Sequence, residues 1–140
     1  MSRKKKLLVM LALLLPFLAD YLYWTTPFSL GKVLPEENWA KAQLWYYDEH
    51  FDVREIPIDE SALQQIVISL KGGQVTNRPR SRLRSLPDFE LYLYAERILP
   101  CSINISENGN ISVAAELDTD HRKYFDGGQE LYQALLALTE

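Results

Sequence analysis

Cysteine is almost absent from this chain: Cys101 is the only one. No internal disulfide can form, which argues against a small disulfide-stapled eukaryotic ectodomain and fits a bacterial exported domain better. Cys101 is expected in a buried strand, acting as a small hydrophobe. Histidine is scarce too, with only His50 and His121. No Gly-x-Ser-x-Gly elbow occurs, so a nucleophilic triad has neither its turn nor a well-placed base. Gly127-Gly128 lacks the lysine of a phosphate loop and the surroundings of a dinucleotide fingerprint. An EF-hand starting at Asp118 fails because Lys123 stands where glycine is needed and Glu130 arrives one residue late. These gaps point away from catalysis, and no cofactor is implied.

Basic residues are missing between Lys6 and Lys32, and that gap holds the one long apolar run, LLVMLALLLPFLADYLYW. Leu7 to Trp24 as a helix covers about 27 Å, close to the ~30 Å hydrocarbon core of a bilayer. Arg3, Lys4, Lys5 and Lys6 stand directly before it, which predicts a cytoplasmic N-terminus and an exported remainder. Tyr21, Tyr23 and Trp24 match an outer interfacial belt. Asp20 is the flaw, tolerable only because it lies near the outer end. A cleavage site is poorly supported: Phe17 is bulky at −3 for a cut after Ala19, and Pro27 opposes a cut after Thr26. No cysteine directly follows the run, so a lipoprotein anchor is not expected. The favoured reading is an uncleaved signal anchor over 1–24, with a secreted protein after signal-peptide cleavage as the alternative.

Removing Arg3 to Lys6 and Asp20 from the 15 basic and 19 acidic residues leaves 11 against 18, so the exported part carries about −7. Such a domain is poorly disposed to nonspecific nucleic-acid binding, and no nucleic-acid partner is expected. Pro27, Gly31 and Pro35 mark 25–35 as a juxtamembrane linker, leaving 36–140 as one extracytoplasmic domain. Within it, Trp39 to Tyr47 and Phe51 to Ile56 read as strands about an Asp48-Glu49-His50 turn. Asp59 caps a helix with Leu63, Ile66, Val67 and Leu70 on one face, ended by Gly72-Gly73. Gln74 to Pro87 reads as a polar loop or an irregular edge strand. Strict alternation marks strands from Phe89, from Cys101 and from Ile111, and Asn108-Gly109 predicts a type I′ hairpin turn between the last two. His121 to Phe125 adds a strand. Asp126 with Gln129 forms a capping box for a final helix carrying Leu131, Ala134, Leu135 and Leu138. The expectation is α+β: an antiparallel sheet of about five or six strands with two packed helices, preceded by one N-terminal membrane-spanning helix.

This order of elements, with ISENGNISV and RKYFDGGQELYQAL after an apolar N-terminus, resembles small exported domains of Gram-positive bacteria whose role is uncharacterised. The resemblance covers most of 40–140 and implies a fold and an address. It carries over no functional residue.

Three further patterns carry chemistry. His50 and His121 each sit beside carboxylates, which opens a metal-dependent hydrolase as a second reading, although neither cluster has the spacing of a recognised site. Asn104-Ile105-Ser106 and Asn110-Ile111-Ser112 fit the glycosylation sequon, which matters only in a eukaryotic secretory pathway. Arg78, Arg80, Arg82 and Arg84 alternate, so an extended backbone would project four guanidinium groups to one side. That row suits phosphates or carboxylates of a lipid headgroup, an anionic envelope polymer or a partner protein. A solvated loop or a charge-guarded sheet edge is the plainer account. The expected function is a noncatalytic, membrane-tethered domain that binds an envelope protein or an anionic polymer.

Overall fold

A computed structural model describes residues 2–79, 87–114 and 122–140. Helix α1, Arg3–Thr25, opens on Ser2, whose side chain accepts from the Lys5 amide, and continues through Pro16. It is long and apolar enough to cross a bilayer, and none of its residues is buried against the remainder of the chain. Strand β1, Phe28–Ser29, and a 3-10 turn over Leu30–Lys32 follow, then β2, Lys41–Tyr47, and β3, Val53–Ile56. Helix α2, Glu60–Gly72, begins at Asp59, whose carboxylate accepts from the Ala62 amide at 2.7 Å. Strands β4 (Gln74–Asn77), β5 (Phe89–Ala95), β6 (Ile98–Ile105), β7 (Ile111–Ala114) and β8 (Lys123–Asp126) precede helix α3, Gln129–Ala137.

The strands form one antiparallel sheet in the order β1-β4-β8-β7-β6-β5-β2-β3. Alternation sorts their side chains. Leu44, Phe89, Leu91, Leu93, Cys101, Ile103, Ile105, Ile111, Val113 and Phe125 point to the core. There they meet Leu63, Ile66 and Leu70 of α2 and Leu131, Tyr132 and Leu135 of α3. Phe89 joins the sheet to α3 through an edge-to-face contact with Tyr132 at 5.6 Å between centroids. The strand residues between these, such as Glu90, Tyr92 and Asn104, form the opposite, polar face.

The α+β class agrees with the sequence reading, but the sheet has eight strands rather than five or six. The additional ones are β1 and β4. Two residues cannot display a period, so β1 was indistinguishable from the linker expected over 25–35. That stretch instead places Leu30 and Leu34 in the core. Strand β4 offers the core only Val75, too little for an alternation signal, and it is not an edge, lying between β1 and β8.

Two turn expectations also change. The β6–β7 hairpin forms, but not with a type I′ turn. The Gly109 amide donates to Ser106 O at 2.9 Å, placing Glu107 and Asn108 at the centre of the turn. Only Gly109 has a positive φ there, 85°. This is the three-residue loop that ends in a left-handed glycine. Asn108 accepts the Asn110 amide on its own side chain at 3.0 Å, which holds it at negative φ. The capping box is absent as well: Asp126 ends β8 and faces Arg78, while α3 begins at Gly128 with no side-chain cap. Ala115 and Leu117, expected in the strand from Ile111, lie outside the described residues.

Candidate functional site

Trp24 donates its indole N–H to the Asp20 carboxylate one turn earlier at 3.1 Å. The Asp20 carboxylate is thereby partnered within the last turns of the helix. Tyr23 and Trp24 stack edge to face at 4.7 Å, and Asn77 at the end of β4 donates its amide to Tyr23 O at 3.0 Å. The sheet is thus tied to the last turn of α1 on the side where β4 meets β8.

A cleft of about 470 Å³ opens at that junction, lined among others by Tyr23, Trp24, Asn77, Arg78, Arg122 and Lys123. Among the described residues its lining includes Arg78, Arg122 and Lys123 and no Asp or Glu, inside a domain that is acidic as a whole. Arg78 is fixed by its backbone, which donates to Tyr124 O at 3.0 Å, and its guanidinium lies 5.7 Å from the Tyr124 ring centroid. Its Nε is buried 3.6 Å from Asp126 Oδ1, beyond hydrogen-bond range, and donates to nothing among the described residues. Lys123 is exposed. Arg122 is committed elsewhere: Nε reaches Ser112 Oγ at 3.1 Å, Nη1 reaches Ser102 Oγ at 3.3 Å, and Nη2 reaches Ser112 O at 3.0 Å. Burial lowers its pKa, opposed by the neighbouring Tyr124, Tyr92 and Glu90. Arg122 therefore satisfies two buried hydroxyls on the polar face of the sheet and has no free donor fork.

The polar face of the sheet continues from Arg122. Tyr92 donates to Glu90 at 3.2 Å and Tyr94 to Gln43 at 3.0 Å. Burial first, and Glu90 second, raises the pKa of both Tyr47 and Tyr92, so these phenols stay neutral donors at ordinary pH. Two larger hollows flank α2 and have linings of mixed charge, including Glu37, Trp39 and Lys71. They lack the single sign that sets the cleft at α1 apart.

The residues singled out in the sequence are distributed as follows. Arg3, Lys4, Lys5 and Lys6 form the first turn of α1, and Tyr21, Tyr23 and Trp24 its last. Arg78 is in the cleft, whereas Arg80, Arg82 and Arg84 lie outside the described residues. Asp48 holds the turn around His50 by accepting the His50 and Asp52 amides at 2.9 and 3.0 Å, with Phe51 at φ 62°. His121, Asp118 and Asp120 lie outside the described residues. Among the described residues no three His, Cys, Asp or Glu side chains converge. Asn77, Arg122 and Lys123 escaped the sequence reading. The adjacent cations Arg122 and Lys123 at the start of β8 were the available signal.

No protein-family model matches this chain, and no curated protein matches it. Among solved structures, a proposed lipoprotein from Clostridium perfringens superposes with a TM-score of 0.48 at 12% identity, over 72% of this chain and 87% of that one. At that distance the similarity bears on neither family nor activity.

Proposed function

We propose that the chain is a membrane-tethered extracytoplasmic domain, noncatalytic, that binds an envelope protein or an anionic envelope component through the arginine-bearing side of the sheet. The observation that carries this is the continuity of two features. An apolar helix with no buried residue ends in an aromatic turn, and that turn forms one wall of a cleft whose charged lining residues, among those described, are Arg78, Arg122 and Lys123. The basic first turn, Arg3 to Lys6, orients the helix with its start in the cytoplasm. The sheet then stands outside, held against the headgroup layer by the Asn77–Tyr23 bond.

Alkaline phosphatase fused after Glu140 tests the address, since that enzyme needs an oxidising compartment for its disulfides. Activity that stays with carbonate-washed membranes is expected. Activity released into the medium would replace the tether with a cleaved signal peptide, and an inactive fusion would reverse the orientation. For binding, replacing Arg78, Arg80, Arg82 and Arg84 with serine should weaken recovery of envelope components after crosslinking in cells. Unchanged recovery would remove the arginines from the binding surface.

A further inference from the structure

We propose that Asn108 is a site of spontaneous deamidation, held shut in the folded chain by the start of α3. The reaction needs neither membrane nor partner, so it stands apart from the tethered reading above. Sequence supplies the first reason. Asn108 is the one asparagine followed by glycine; Asn38, Asn77, Asn104 and Asn110 precede Trp39, Arg78, Ile105 and Ile111. A side chain on the following residue shields its amide nitrogen, and Gly109 has none.

The chemistry is an intramolecular acyl transfer, favoured because both reacting groups belong to neighbouring residues. Hydroxide removes the Gly109 amide proton, and the nitrogen attacks Cγ of the Asn108 carboxamide. The N–Cγ bond forms, the Cγ–Nδ2 bond breaks, and Nδ2 leaves as ammonia after taking a proton from water. Water then opens the succinimide ring. Breaking the N–Cγ bond gives aspartate. Breaking the bond from that nitrogen to the Asn108 main-chain carbonyl carbon gives isoaspartate, whose main chain runs through the former side chain.

The fold presents the carboxamide and withholds the nucleophile. Asn108 is exposed, whereas Gly109 is buried. The peptide group that must react is bonded at both ends. Its N–H, on Gly109, donates to Ser106 O at 2.9 Å. Its carbonyl, on Asn108, accepts from Gln129 Nε2 at 3.2 Å. The Gly128 amide adds a third bond, to Gly109 O at 2.9 Å, so the start of α3 grips the turn twice. The Asn110 amide donates to Asn108 Oδ1 at 3.0 Å and polarises the carboxamide, but the nitrogen that should attack it keeps its proton engaged. Ring closure therefore waits for the turn to open and for α3 to release it.

The test uses the full chain in mild detergent, incubated in mildly alkaline buffer with and without denaturing urea. Mass spectrometry of the fragments that carry Asn108 reads the exchange of amide for acid. Asp126-Gly127 closes the same kind of ring by losing water, which leaves the final mass unchanged. In urea, Asn108 should react before every other asparagine and give two products of equal mass. The folded chain should react at least about tenfold more slowly. Gln129→Glu keeps the side-chain length, suits the first turn of a helix and loses the donor. It should speed the folded reaction about fivefold and leave the rate in urea unchanged. Gln129→Ala should do the same. Gln129 is exposed, so neither change disturbs the core, and a cooperative urea transition checks that both variants fold.

A different asparagine reacting first in urea would overturn the site. A single product would overturn the succinimide route. Equal rates in the folded and unfolded chain would overturn the protection, and a folded rate unchanged in both Gln129 variants would remove α3 from it.

Discussion

Cys101 has no exposed surface, and burial pushes its thiol up to about 11, with the charge of Arg122 pulling weakly the other way. The consequence for stability has a definite sign. Unfolded, the thiol loses its proton near its ordinary value of 9.0; folded, it keeps the proton to about 11. Between these values the unfolded chain binds fewer protons, so stability falls as pH rises. A two-unit displacement corresponds to about 2–3 kcal/mol across that window. Urea unfolding between pH 9 and 11 should show the decline, and Cys101→Ala should flatten part of it. The comparison with the variant is needed because burial also raises Tyr47, Tyr92 and Tyr132, which steepen the same limb. A slope identical in wild type and Cys101→Ala would sink the assignment. At neutral pH the thiol should react with an aromatic disulfide reagent only after denaturation, since the thiolate is the nucleophile and neither it nor access is available in the sheet.

At the scale of elements, the β6–β7 hairpin depends on one backbone angle. Gly109 has φ 85°, and a Cβ at that position would lie 2.5 Å from the Gln129 side chain. Gln129 cannot simply swing away, because its amide donates to Asn108 O at 3.2 Å and ties α3 to the turn. Gly109→Ala should therefore cost about 1–3 kcal/mol, combining a left-handed backbone with a displaced tether. Equilibrium denaturation measures it; a loss below about 0.5 kcal/mol would mean that the turn relaxes freely. The position of this glycine, and the hairpin itself, were legible in ISENGNISV, as was the Asp59 cap of α2. What stayed illegible depended on distant partners. Asp126 and Gln129 have the spacing of a capping box, but Arg78 sits beside the first and Asn108 takes the second. A three-residue spacing reports what a helix start would accept, whereas the outcome depended on residues 48 and 21 positions away. The cleft was half visible for the same reason. Arg78 stood out in its row, yet its neighbours Asn77, Arg122 and Lys123 are assembled only when β4 crosses to the far side of the sheet and pairs with β8.

Taken as a whole molecule, the chain divides into two bodies of opposite solvent preference. Twelve large side chains are fully buried among the described residues, from Leu30 to Leu135, and α1 supplies none of them. At about 1.5–3 kcal/mol for each buried aliphatic or aromatic side chain, the apolar drive for the sheet and its two helices is complete without α1. The helix, conversely, leaves Leu7, Leu8, Leu11, Leu14, Leu15 and Phe17 more than half exposed, apolar surface that none of the described residues covers. The Asn77–Tyr23 bond joins the two parts, and its exposed setting limits it to about 0.5–1.5 kcal/mol. Deleting residues 2–25 should therefore leave a cooperative unfolding transition, shifted by no more than that amount. On the tethered reading proposed above, it should also move the protein from the membrane fraction to the soluble fraction. A truncated chain that aggregates or melts without cooperativity would show that α1 contributes to folding as well as location.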